Sequence, residues 1–251
     1  VLGGRADSAS VVGVIPARYG SVRFPGKALA RINGKPLVQW VWERAREAKR
    51  LERLLVATDD ERILEAARRF GAEAVMTSPD LPSGTDRVWA AVKESRAQII
   101  VNIQGDEPLL TPAMIDQLVE GLEREPAAGM ATLRHAMRSP AGYSDPNIVK
   151  VVTDEKGWAL YFSRAAIPHV RQKDCASPVW YKHIGLYAYR RALLEQFVQW
   201  PPSVLEATEK LEQLRALEKG TRIRVLDSAV NTVGVDTLED LRQVEKILSH
   251  A

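Results

Sequence analysis

In its first half the chain alternates short, unbroken apolar runs with amphipathic segments, and this rhythm restricts the fold more than any other feature. Val11-Val12-Gly13-Val14-Ile15 is apolar throughout, as a strand buried on both faces should be. Leu54–Ala57, Ala74–Met76 and Ile99–Ile103 read as three more strands. Helical patterns lie between them. One starts at Pro36 and carries Leu37, Trp40, Val41, Arg44, Ala45 and Ala48 at helical spacing. A second runs from an N-cap at Asp60 to Phe70 and stops at Gly71. A third covers about Thr85 to Arg96, and a fourth opens on Thr111-Pro112 and ends near Arg124. This alternation predicts an α/β fold, a mostly parallel sheet with helices on both faces.

After about residue 126 the rhythm changes. Strand-like stretches at Met130–Ala136, Val149–Val152, Trp158–Phe162 and Ile184–Tyr189 predict antiparallel strands that extend the sheet or form a flap. Ser203-x-x-Glu206 and Thr237-x-x-Asp240 read as helix caps, and Leu211, Leu214 and Leu217 as a buried stripe. The expected organisation is one domain over residues 11–251, with an inserted lobe at about 126–200 and a disordered tail at 1–10.

Composition removes whole classes of function. Thirty-five basic and 32 acidic residues leave a formal charge of +3, scattered along 251 residues, which argues against nucleic acid as a partner. No apolar run approaches the roughly 18 residues of a membrane span, so no membrane insertion is expected. Cys175 is the one cysteine, which excludes an internal disulfide and a cysteine-based zinc site and makes a reducing cytoplasm the expected location. The four histidines show no metal-ligand spacing.

The segment Arg18-Tyr19-Gly20-Ser21-Val22-Arg23-Phe24-Pro25-Gly26-Lys27 leaves the end of the first strand, where open α/β sheets place their ligands. Gly20 and Gly26 let the backbone fold tightly around an anion, and Arg18, Arg23 and Lys27 neutralise it. Three cations suit a nucleoside triphosphate better than a monophosphate. The segment is not a Walker A loop: Ser21 stands where that motif needs glycine and Ala28 where it needs Ser or Thr. No two glycines lie two positions apart, so the dinucleotide fingerprint is absent and a nicotinamide dehydrogenase is disfavoured.

Gln104-Gly105-Asp106-Glu107-Pro108 leaves the fourth strand, and its carboxylate can reach a Mg²⁺ bridging phosphates, or else form an acidic turn. Gly234-Val235-Asp236-Thr237 offers a second ligand, or a helix start that favours acids. Helix capping suffices to explain Asp59-Asp60. Ser83-Gly84-Thr85-Asp86-Arg87 enters a helix, where capping is the simpler reading and a ribose site the sharper one. Arg164 can hold a carboxylate bidentately or form a surface ion pair. His183 and Tyr187 share a strand face, while Glu212-Gln213 falls off the leucine stripe and would ordinarily be a solvated helix face.

Taken in order, these motifs resemble the 3-deoxy-manno-octulosonate (KDO) cytidylyltransferases. The resemblance runs from about Val12 to Ile247 through Ile15-Pro16-Ala17-Arg18-Tyr19 with Pro25-Gly26-Lys27, Ala57-Thr58-Asp59, Ser83-Gly84-Thr85 and Gln104-Gly105-Asp106-Glu107-Pro108. It continues through Tyr161-Phe162-Ser163-Arg164-Ala165, His183-Ile184-Gly185-Leu186-Tyr187, Leu211-Glu212-Gln213-Leu214-Arg215 and Gly234-Val235-Asp236-Thr237. Asp86 departs from it, standing where the family usually has Glu.

The resemblance implies a Rossmann-like nucleotidyltransferase fold and Mg²⁺-dependent transfer of CMP from CTP to the anomeric hydroxyl of KDO, a step of lipopolysaccharide biosynthesis. It implies that Arg18, Ser21 and Lys27 contact the CTP phosphates, that Asp106 and Asp236 hold magnesium, and that Ser83 and Arg87 lie near the nucleotide. It places Gln104 at the reaction centre and Arg164, His183, Tyr187, Glu212 and Gln213 around the sugar acid. A cytoplasmic homodimer, with the inserted strands at its interface, is expected. The alternatives are a CMP-sialic acid synthetase, a cytidylyltransferase for another ulosonic acid, and a non-catalytic relative.

Overall fold

The computed structural model describes residues 10–20, 24–138, 140–171 and 179–249. Strand β1 (Val11–Ala17) leads to a 3-10 turn (Lys27–Leu29), a short pair β2 (Arg31–Ile32) and β3 (Lys35–Pro36), and helix α1 (Leu37–Ala45). Next come β4 (Arg53–Thr58), α2 (Glu61–Arg69), β5 (Glu73–Met76), α3 (Gly84–Val92), β6 (Ile99–Asn102) and α4 (Pro112–Arg124). The chain continues with β7 (Met130–Met137), α5 (Pro140–Ser144), β8 (Lys150–Thr153), β9 (Ala159–Ser163) and β10 (Trp180–Arg190). It closes with α6 (Arg191–Phe197), α7 (Val204–Glu209), α8 (Gln213–Glu218), β11 (Ile223–Asp227) and α9 (Leu238–Ser249).

Local chemistry sets most of the helix ends. Asp60 accepts a hydrogen bond from the Arg62 amide at 3.0 Å, and Gly71 ends the same segment at φ +86°, a conformation that costs glycine least. Ser203 and Glu206 form a reciprocal capping box on α7. Thr111 differs from expectation: its side chain caps nothing, and the start of α4 relies on Pro112 in its first turn.

The main sheet has nine strands among the described residues, with its continuous order β11-β7-β10-β6-β1-β4-β5. β1 pairs in parallel with both β4 and β6, and β5 continues the parallel side. From β1 the chain first builds outward through β4 and β5, then returns to add β6 on the other flank. That reversal opens a crevice at the carboxyl ends of β1, β4 and β6. Within residues 126–200, β7 and β10 are antiparallel members of the central sheet, while β8 and β9 form a hairpin attached to it through β10.

Two apolar layers clamp the sheet. One face packs against α1, α2 and α4 through residues such as Val41, Ile63 and Leu118, all without exposed surface. The other packs against α3, α6 and α8 through Val88, Leu194 and Leu214. A third cluster of Ile32, Leu37, Val235 and Val244 ties α9 to the start of α1. Area buried on this scale is the main stabilising contribution and makes the strand ends a rigid frame.

Candidate active site

Arg18 follows β1 directly and is exposed. The loop closes where Gly26, at φ +71°, donates its amide to Tyr19 O at 2.9 Å. The Tyr19 ring is covered by the Arg62 guanidinium, 3.4 Å from its centroid. This anchorage directs Lys27 into the crevice. Its Nζ donates to Asp106 Oδ2 at 2.6 Å and to Asp236 Oδ1 at 3.1 Å. Burial alone would lower the Lys27 pKa; the two carboxylates outweigh it and hold the ammonium above the ordinary lysine value.

Both aspartates are set by the backbone. Gly105 crosses β1 so closely that a Cβ there would sit 3.0 Å from the Pro16 carbonyl oxygen. Across the crevice the Val235 amide donates to Asp106 O at 2.8 Å, and the buried Val235 side chain anchors that loop to the third apolar cluster. Asp236 and Asp106 are thereby held on either side of Lys27.

The remaining nucleotide-side residues line the same cleft, which has a volume of 410 Å³ and takes in Arg18, Lys27, Ser83, Arg87, Gln104 and both aspartates. Ser83 caps α3, accepting from the Thr85 and Asp86 amides, so the capping reading holds for a residue that also faces the cleft. Arg87 is 3% exposed and donates to Asp59 Oδ2 at 2.8 Å and to Thr77 Oγ1. This corrects the reading of Asp59-Asp60 as capping alone: Asp60 caps α2, whereas Asp59 is the counter-ion of a buried arginine and also accepts from the Tyr19 amide at 3.4 Å. Ser21 and Arg23, the other residues expected to meet phosphate, lie outside the described residues, as does Cys175.

Gly84, Gln104, Glu212 and Asp236 also line a wider adjoining cleft of 870 Å³, which contains Arg164, His183, Tyr187 and Gln213. His183 is buried, and burial, with the Lys182 charge beside it, pushes its pKa down to about 3. Its Nε2 lies 2.9 Å from Thr132 Oγ1, whose single proton is directed to the Ile184 or Leu186 carbonyl. The network therefore assigns the ring proton to Nε2 and leaves Nδ1 as an acceptor. Tyr187 reaches Gln213 Oε1 at 3.1 Å, and Gln213 Nε2 is buried without a hydrogen-bond partner. Gln213 is 3% exposed, which overturns its assignment to a solvated helix face: α8 begins only at Gln213, so the approach to it turns these side chains inward. Glu212 accepts from Thr85 Oγ1 and joins α8 to α3. Arg164, read as a surface ion pair or a carboxylate holder, donates to the backbone carbonyls of Glu209 and Pro146.

Sequence reasoning did not single out Lys150, whose ammonium is wholly buried, or Lys182. Glu107 enters that reading only as a member of the Gln104–Pro108 segment. Burial, then the Asp106 charge, raise the Glu107 carboxyl to about 7 while Lys182 pulls it back, and Glu107 Oε2 has no partner. Nothing short of the strand register reveals these, although Lys150 in a β-branched run is a visible anomaly.

The cytidylyltransferase family profile matches residues 12–223. A 3-deoxy-manno-octulosonate cytidylyltransferase of Geobacter sulfurreducens is 50% identical over 244 residues, covering 94% of this chain and 98% of the relative. The enzyme so named from Syntrophobacter fumaroxidans is 52% identical over 242 residues, covering 95% and 97%. The chain belongs to the 3-deoxy-manno-octulosonate cytidylyltransferase family. A solved CMP:2-keto-3-deoxy-manno-octonic acid synthetase, complexed with CTP, superposes with a TM-score of 0.91 at 43% identity, covering 96% of this cytidylyltransferase chain and 99% of the other. Among the described residues of this cytidylyltransferase, no helix is long and apolar enough to cross a membrane.

Proposed function

We propose that the protein transfers CMP from CTP to the anomeric hydroxyl of 3-deoxy-manno-octulosonate, releasing pyrophosphate and supplying CMP-KDO for lipopolysaccharide biosynthesis. The observation that carries this reading is the continuity of the two clefts. A cation held by two aspartates opens, past Gln104 and Glu212, onto a wall of hydrogen-bonding groups suited to a polyhydroxylated acid.

The donor set fits Mg²⁺. Among the described residues no three His, Cys, Asp or Glu cluster as a complete metal cage. Two carboxylates already gathered around one cation are what Mg²⁺ uses when substrate phosphates complete its shell. Asp106 and Asp236 would hold it, and when bound it would lower the pKa of a coordinated hydroxyl and offset phosphate charge.

The chain's own residues supply the positioning. Arg18 and Lys27 bind the triphosphate and favour departure of pyrophosphate, as charge neutralisation must in phosphoryl-type transfer. Arg87, fixed and charge-balanced by Asp59, holds a rigid guanidinium on the nucleotide side. Gln104 lines both clefts, which supports assigning it to the point where the sugar hydroxyl would meet the α-phosphorus. An O–P bond forms there, the bond to pyrophosphate breaks, and the hydroxyl proton passes to solvent. His183, with a pKa of about 3, is too weak a base to take that proton, and its Nδ1 instead accepts from a sugar hydroxyl. Gln213 Nε2 donates to a sugar oxygen and Arg164 faces the carboxylate.

A cytoplasmic place of action accords with the use of a nucleoside triphosphate. A homodimer accords with the edge of β9, where Leu160 is 60% exposed on a strand that, among the described residues, pairs only with β8; equilibrium sedimentation tests it. The deciding assay follows CTP-dependent pyrophosphate release with KDO, with sialic acid, and with Mg²⁺ chelated. Release with KDO that chelation stops is expected; release with sialic acid alone would overturn the substrate assignment.

A further inference from the structure

Lys150, the first residue of β8, has no exposed surface, and among the described residues it makes no ion pair. Its ammonium spends all three protons on backbone carbonyls: Ile148 O and Arg164 O at 2.6 Å and Asp145 O at 2.8 Å. Arg164 grips the same loop from the other side, donating to Pro146 O at 3.1 Å. Glu209 completes the arrangement. Its carbonyl accepts from Arg164 Nε at 2.8 Å, and its carboxylate accepts from the Arg164 amide at 2.9 Å and from Ser163 Oγ at 2.6 Å.

Burying an ammonium without a carboxylate at contact distance is costly, and it persists only where the geometry it enforces is needed or the carbonyls have no other donor. Here the three carbonyls come from two separate segments, residues 145–148 and Arg164. Both segments line the wider cleft beside His183. Lys150 bonds the two segments through their main chains, and without it the direction of Arg164 rests on Glu209 and on the side-chain bond to Pro146 O.

We propose that Lys150 is a positioning residue for the sugar acid: it touches no substrate, but by fixing Arg164 and the 145–148 loop it sets the affinity for the carboxylated sugar. The inference rests on the functional reading above, which places that sugar in the wider cleft.

The test is a double-mutant cycle on the full-length protein. Lys150→Met keeps the aliphatic stem and removes the three donors. Its KM for KDO should rise at least about tenfold, the low end of the worth of one hydrogen bond to a charged group, with KM for CTP within about twofold. Because Lys150 acts through Arg164, the double variant Lys150→Met/Arg164→Ala should bind KDO no worse than Arg164→Ala alone. Additive losses, or equal rises in both KM values, would overturn the proposal and leave Lys150 a fold-wide brace. If Lys150→Met does not fold, Lys150→Gln, which keeps a polar head with fewer donors, is carried through the same cycle and should still raise the KM for KDO selectively. The wild-type protein separates the two levels. Without KDO-dependent pyrophosphate release the functional reading itself fails, whereas wild-type turnover with an unchanged KDO KM in the variant defeats only the role of Lys150.

Discussion

Lys27 Nζ lies 2.6 Å from Asp106 Oδ2, so a cation from the opening loop neutralises the carboxylate that follows the fourth parallel strand. Asp236 completes the group from the far end of the chain, 3.1 Å from the same nitrogen. The two metal-ligand candidates thus share one cation, which offsets half of their charge.

Asp106→Asn and Asp236→Asn each remove one of those charges without removing bulk. Both should lower kcat by at least about 10²–10³-fold, the scale seen when one transition-state electrostatic group is lost. Neither aspartate is deeply buried, with side chains 30% and 46% exposed, so the thermal midpoint should hardly move. Steady-state pyrophosphate release and circular dichroism melts check the two halves of the expectation.

Asp59→Asn should behave in the opposite way. Arg87 and Asp59 are a buried pair, 4% and 15% exposed at their side chains, and neutralising one partner strands the other. A loss of about 3 kcal/mol in urea-unfolding free energy is expected. A raised KM for CTP should accompany it, because Asp59 also holds the Tyr19 amide at the base of the loop.

His183 gives the protein a pH signature. Its folded pKa of about 3 lies below the unfolded value near 6.5, so the unfolded chain binds the proton first. The stabilising contribution is present above pH 6.5 and is lost as pH falls towards 3. Against His183→Gln, wild type should lose about 1.4 kcal/mol of stability per pH unit between pH 6 and 4. Denaturant titrations at stepped pH measure the slope; parallel curves for the two proteins would refute it.

Tyr187→Phe removes the hydroxyl that steadies Gln213 Oε1. The KM for KDO should rise by about three- to tenfold, the value of one neutral hydrogen bond, while the KM for CTP stays put. Initial rates with one substrate varied at a time resolve the difference.

The parallel half of the sheet was readable because each of its strands is an apolar run flanked by helix signals. The positions of Lys27 and Asp106 followed from the rule that ligands gather at strand ends. The pairing of Asp236 with them comes from the family resemblance alone, since no periodicity reports that a loop beyond β11 returns to β6. Gln213 looks solvent-facing only if helical spacing runs back to Leu211, where no helix exists. Asp59 and Asp60 both look like caps because they are adjacent acids at a helix start, and only the burial of Arg87 separates them. Lys150 escaped notice because its partners are carbonyls, which carry no side-chain signature at all.

The hydrogen bond from the Val235 amide to the Asp106 carbonyl has an evolutionary corollary. Because main-chain atoms hold the two acidic loops together, descendants of this chain can exchange side chains nearby without altering the gap between the acids. A one-residue insertion or deletion in the connector joining β11 to α9 would unlatch it, so length there should be constrained far more tightly than amino-acid identity.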